Sequence, residues 1–168
     1  MFLILNRDKN SGFMFLEILV AIAIISLVFI VLLGIGFSAQ NTSISLRKST
    51  QADSLVREAF EAVRSFRDGT TWSANGLGTV NYAESNPYYL LLDSSLTPAK
   101  WSLRVGAETV GIFTRYVVFD KVSRDPTTHY IESVYNSSHN DPDTVKVTVT
   151  ILWPDKTAKV VSYFTNWK

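Results

Sequence analysis

The chain has 168 residues, 16 Lys plus Arg against 15 Asp plus Glu, and no cysteine. That length fits one folded domain with an additional segment. The balanced charge argues against nucleic acid or anionic lipid as a partner, and without cysteine there are no disulfide staples and no thiol nucleophile.

The chain opens MFLILNRDKNSG, with Arg7 and Lys9 ahead of a small pair, Ser11-Gly12. Phe13 to Phe37 then reads FMFLEILVAIAIISLVFIVLLGIGF, in which Glu17 is the only ionisable residue. From Ile18 to Phe37 the apolar run is twenty residues long, broken only by Ser26. At about 1.5 Å per residue such a helix covers roughly 30 Å, the hydrocarbon thickness of a bilayer. A charge at the centre of a span costs about 3 kcal/mol on insertion scales, and less near its end, where Glu17 sits. An acid kept there calls for a partner. A secretory signal places its small residues after the apolar run, whereas here they precede it, so cleavage would leave the run on the mature chain.

Gly12-Phe13-Met14-Phe15-Leu16-Glu17, behind a short charged leader and before an unbroken apolar run, resembles the type IV prepilin processing site, shared by type IV pilins and type II secretion pseudopilins. Met14 departs from the Thr or Ser usual there. The resemblance is sharp over Arg7 to Phe37 and architectural beyond. It implies cutting after Gly12 by a prepilin peptidase, N-methylation of Phe13, and an assembly contact from Glu17 to the amino terminus of a neighbouring subunit. It also implies a bacterial chain held in the cytoplasmic membrane with its carboxyl-terminal domain outside, then moved by an assembly platform into an extracytoplasmic filament. Arg7 and Lys9 before the span against Arg47 and Lys48 after it leave the positive-inside rule nearly balanced. The processing site therefore decides the orientation. In this family, helix-weakening residues inside the span are associated with local unwinding on assembly, a role open to Gly34 and Gly36. Their alternative is a small-residue contact with another helix.

After the span the helix is expected to continue, giving one helix of about fifty residues; Ser38 to Ile44 is polar and could interrupt it briefly. From Leu46 to Phe66 apolar residues recur at helical spacing, with Leu55, Ala59, Ala62 and Phe66 beside Val56, Phe60 and Val63. Arg57, Glu58, Glu61, Arg64 and Arg67 fall on the other face, and Arg57–Glu61 is its one charged i,i+4 pair. Asp68-Gly69 reads as a stop. Residues 68–99 read as a turn-rich connection holding one short apolar run, Tyr88 to Leu92, which could be a strand. Residues 100–168 read as strands at Trp101–Val105, Gly111–Asp120, Thr128–Tyr135, Thr144–Trp153 and Ala158–Thr165. Val145 to Ile151 alternates apolar with polar, predicting a dry face against Leu55, Ala59 and Phe66. Trp153-Pro154-Asp155-Lys156 reads as a hairpin turn.

The expected organisation is a leader (1–12), a membrane or fibre-core half-helix (13–37), an amphipathic half-helix (38–67), a connection (68–99) and a sheet (100–168). The fold class is α+β, a long N-terminal helix packed on an antiparallel sheet in a pilin-like roll. The run VKVTVTILWP and its following strand resemble the end of minor pilins and minor pseudopilins.

No catalytic signature stands out. His129 and His139 lack ligand spacing, and there is no GxSxG, P-loop or GxGxxG. Asn75-Gly76-Leu77-Gly78 reads as a turn rather than a phosphate cradle. Asp141 and Asp143 offer oxygens suited to calcium, though an Asx-Pro turn is the preferred reading. Asn41-Thr42-Ser43 and Asn136-Ser137-Ser138 match the glycosylation sequon without a eukaryotic route to use it. Of the four tryptophans, Trp167 is the candidate for a subunit contact, although strand aromatics mostly serve cores and cross-strand pairs. The expectation is a non-enzymatic minor subunit of a type IV pilus or related filament, without cofactor. The alternatives are a minor pseudopilin of a type II secretion system, or an uncleaved, membrane-anchored binding domain or adhesin.

Overall fold

The computed structural model describes residues 11–167 apart from 84, 96 and 155; most of the expected leader, residues 1–10, lies outside them. The chain divides into two units, one ending at Lys48 and the other running from Ser49. Helix α1, Ser11–Gly69, continues through both.

The helix continues past the span as expected, and the brief interruption left open at Ser38 to Ile44 is absent. The polar side chains there are reconciled with the helix by bonding back to it: Thr42 Oγ1 donates to the Ser38 carbonyl at 3.0 Å. Ser26 does the same to Ile22 at 2.7 Å inside the apolar run. The stop at Asp68-Gly69 is where α1 ends. The predicted Arg57–Glu61 pair gives way to Glu61–Arg64, three residues apart on the same exposed face.

Within the second unit, α1 packs on a six-stranded antiparallel sheet: β1 Tyr88–Asp93, β2 Lys100–Val105, β3 Glu108–Val110, β4 Phe113–Ser123, β5 Asn140–Trp153 and β6 Lys156–Thr165. The order is β2-β1-β4-β5-β6, with β3 also paired to β4. Long apolar helix and antiparallel sheet together make the architecture pilin-like, of the α+β class. The short apolar run within the expected connection is a strand, as it could be: Tyr88–Asp93 pairs with β2 along its length and with β4 at Tyr88.

The dry face of β5 is Val145, Val147, Val149 and Ile151, all buried, and it meets Ala52, Val56, Ala59, Ala62 and Val63. The expected helix face is the one used: Val56, Ala59, Ala62 and Val63 lie in the core, and Leu55, Phe60 and Phe66 pack against its margin, only partly buried. Alanine at 52, 59 and 62 lets the helix backbone approach the sheet, and the larger side chains close the margins. Phe60 stacks on Phe164 of β6 with centroids 6.4 Å apart.

Thr128–Tyr135 is not a strand; it joins the sheet through one isolated bridge, Arg124 to Ile131. Local side-chain bonds win there. Asp125 Oδ1 accepts from the Thr127 and Thr128 amides at 2.8 and 2.7 Å, and His129 takes a left-handed φ of 59° that ends any extended run.

In β5, Lys121 faces Val145 while Val122 faces Asp141, so Pro142–Thr144 bulges out of the ladder. Proline has no amide hydrogen to give, which makes a bulge the place for it. The freed carbonyls are used: Trp72 Nε1 donates to Pro142 at 3.0 Å and the Asn166 amide donates to Asp143 at 2.8 Å. The turn into β6 has Trp153 opposite Lys156, the hairpin expected.

Candidate functional site

The described residues of the first unit, 11–48, are helix, and the apolar surface from Phe13 onward is bare. The large apolar side chains from Phe13 to Phe37 are between 47 % (Leu33) and 80 % (Phe13) exposed. It is the one helix among the described residues long and apolar enough to cross a membrane. Glu17 stands on this surface with no hydrogen-bond or ion-pair partner among the described residues. Residues four apart share a helix face, so Phe13, Glu17 and Ala21 lie in one row. Helical side chains lean towards the amino end, which aims the Glu17 carboxylate at the turn holding Gly12-Phe13. In a chain beginning at Phe13, Glu17 would stand at the end of the first turn, where the helix dipole favours an acid. A Cβ added at Gly34 or Gly36 would meet nothing within 4 Å. The space around these glycines thus gives no steric reason for them within a single chain.

The second unit carries two charged networks. Arg115 is 2 % exposed and lies between Phe113 and Val117 on the inner face of β4. Its Nε bonds Glu108 Oε1 at 2.7 Å, its Nη2 bonds Glu58 Oε1 at 3.2 Å, and its Nη1 donates to the Leu55 carbonyl at 3.0 Å. One guanidinium thereby ties β3 and β4 to α1. This residue was missed in the sequence, although its signal was there: period two along Phe113, Arg115, Val117 and Phe119 puts an arginine on the dry face, where it needs acids.

The second network holds the 124–139 loop. Arg124 bonds Asp141 Oδ2 at 2.6 Å, the His129 carbonyl at 3.1 Å and Thr144 Oγ1 at 3.1 Å. His139 Nδ1 lies 3.0 Å from Glu132 Oε1, and the Asn136 amide donates to Ser123 Oγ at 2.9 Å. The two candidate calcium ligands are engaged elsewhere: Asp141 by Arg124, and Asp143 Oδ1 by Asn166 Nδ2 at 2.9 Å. The Asp143 amide donates to Asp141 Oδ1 at 3.0 Å, which is the Asx turn. Among the described residues no three His, Cys, Asp or Glu side chains are grouped to hold a metal ion. At the Gly76-Leu77-Gly78 turn, a Cβ at Gly78 would come within 2.7 Å of the Trp72 ring, so that glycine serves close packing. Trp167 is 65 % exposed, with the Arg67 guanidinium 5.6 Å from its ring.

Three carboxyls of the loop network lie below their usual range. Amide bonds from Thr128 and then Thr127 do this for Asp125, and the Ser123 hydroxyl and then His139 for Glu132. For Asp141 burial opposes ionisation, but bonds from Thr144 and Arg124 outweigh it. A carboxyl whose folded pKa is depressed stabilises the fold above its unfolded pKa, about 4, and that stability is lost as pH falls through the folded value. The loop amides of Thr127, Thr128 and Asn136 are therefore expected to lose hydrogen-exchange protection below about pH 4 while the β5 amides of Val147 and Val149 keep theirs. Uniform protection down to pH 2.5 or so would contradict this account of the loop.

Comparison with known protein families, with characterised proteins and with solved structures gave no match to this chain.

Proposed function

We propose that the chain is a structural, non-enzymatic subunit of a type IV pilus or related filament, in the minor class. On this reading a prepilin peptidase cuts after Gly12 and methylates Phe13, and an assembly platform then draws the helix out of the cytoplasmic membrane into the filament. The observation that carries it is a single acid, Glu17, four residues after Phe13 on an otherwise uncharged and bare apolar stretch of helix. In a filament core, neighbouring helices would replace lipid around Phe13 to Phe37. Glu17 would then need a cation, and the amino group created at Phe13 of an adjacent subunit supplies one. Leaving that acid buried and unpaired would cost about 3–5 kcal/mol, enough to set the register between subunits.

A minor pseudopilin of a type II secretion system would use the same helix for the same steps. Genes beside this one for a secretin and a secretion ATPase, without a retraction ATPase, would favour that machine. Processing comes first in either case. Co-expression with a prepilin peptidase is expected to remove residues 1–12, and a chain that stays uncut would instead be a membrane-anchored binding domain.

A further inference from the structure

Helix α1 begins at Ser11, so the Gly12–Phe13 peptide bond lies inside its first turn. In an α-helix each carbonyl accepts from the amide four residues on, which pairs Ser11 with Phe15 and Gly12 with Leu16. Hydrolysis at this bond adds water to the Gly12 carbonyl carbon and breaks its bond to the Phe13 nitrogen. A carboxylate is left on Gly12 and an amino group on Phe13. On the way the Gly12 oxygen takes up negative charge and must face donors that the peptidase supplies. In the helix that oxygen points along the axis at the Leu16 amide, and the chain is coiled where a protease cleft takes an extended segment. The folded turn withholds the bond from attack.

Little besides the backbone holds this turn. Phe13, Met14, Phe15 and Leu16 are each more than half exposed, and none packs on another part of the chain's core. The first turn also has no acidic residue to answer the helix dipole. Lying at the end of the helix, it can open without dividing the helix in two. Opening a turn between Ala52 and Val63 would instead strip buried side chains from the sheet. With no packing to lose, the cost of opening is set by the helix preference of the residues themselves. Gly12 lowers that cost. Met14 raises it, since methionine is among the better helix formers and has no branch at Cβ.

We propose that opening of the Ser11–Leu16 turn gates the cut after Gly12, and that Met14 sets how often the turn is open. The proposal rests on processing at Gly12 and adds to it a rate-setting residue. A peptidase that takes only the open form meets a substrate diluted by the closed one, so at limiting enzyme the rate follows the open fraction. Met14 thereby acts through the helix and not through contact with the reacting atoms.

The test uses the full chain in detergent micelles with limiting prepilin peptidase, as wild type, Met14→Leu, Met14→Ala and Met14→Gly. Leucine should leave the rate near wild type, and Met14→Gly should be cut about fivefold faster than Met14→Ala. Recognition of this side chain by its size would instead put glycine and alanine together, because both are small. Amide exchange of Leu16 in the uncut chain should rise by the same factor from Met14→Ala to Met14→Gly, as the Gly12–Leu16 bond opens more often. Equal cutting of these two variants would overturn the inference and leave processing at Gly12 intact. So would a difference in cutting without one in Leu16 exchange. A wild-type chain that the peptidase never cuts would remove both the inference and the filament reading beneath it.

Discussion

Glu17→Ala is expected to leave the chain inserted and cleaved after Gly12, yet to lower its recovery in sheared filaments a hundredfold or more. The size follows from the cost of misplacing a charge in a dry core, about 3–5 kcal/mol, at about 1.4 kcal/mol per factor of ten. The alanine variant removes the acid rather than stranding it, so the loss has another origin. On the filament reading, the new amino group at Phe13 of the adjacent subunit would be left as the unpaired charge, and the subunit would lose the contact proposed to set its register. A second effect must be separated from this one. Removing a carboxylate makes the helix more apolar, which alone would favour retention in the membrane. Glu17→Gln resolves the two, because it keeps a polar side chain of the same size and gives up only the charge. Glu17→Asp keeps the charge on a shorter arm and should recover part of the incorporation. Filament levels near wild type for Glu17→Gln would show that no ion pair is formed there.

Arg115→Ala is expected to destabilise the second unit by about 3–5 kcal/mol, a large share of the 5–15 kcal/mol that typically holds a domain together. The substitution leaves the Leu55 carbonyl without its donor and the largely buried Glu108 without its cation, at the site of a guanidinium that is itself buried. Arg115→Lys retains the charge but not the three-way fork, so it should recover only part of the loss. The acids should rank by exposure. The Glu58 side chain is half exposed, and Glu58→Ala should cost no more than about 1 kcal/mol; Glu108→Ala should cost more because its side chain is largely buried. Urea unfolding followed by tryptophan fluorescence measures all four. A midpoint for Arg115→Ala no lower than that for Glu58→Ala would mean the guanidinium contributes little.

The long helix was legible because both of its signals are local: an apolar run that ends in a charge pattern, and an Asp-Gly stop. Its continuity past the span was legible too; only the polar stretch Ser38 to Ile44 left a break open, and there the Thr42 hydroxyl bonds back to a carbonyl one turn away. The strand Val145 to Ile151 announced itself by alternation. Thr128 to Tyr135 has enough β-branched and aromatic residues to imitate a strand, but Asp125 and the left-handed His129 give its backbone other partners. The helix face was legible from its spacing, with Val56, Ala59, Ala62 and Val63 in the core and Leu55 and Phe66 at its margin; the core residue it missed is Ala52. Glu58 was assigned to solvent, and only the fold brings Arg115 to it from 57 residues away. The motif at Gly12 to Glu17 is different in kind. Its meaning lies in processing and assembly, and the fold supplies the bare helix on which those steps would act.

The most direct test of the filament reading is the intact mass and amino-terminal sequence of the full chain after co-expression with a prepilin peptidase. The reading requires a mature chain that begins at N-methylated Phe13 and lacks residues 1–12. A chain that still begins at Met1 would contradict it, leaving an anchored domain in which Glu17 has no amino terminus to meet.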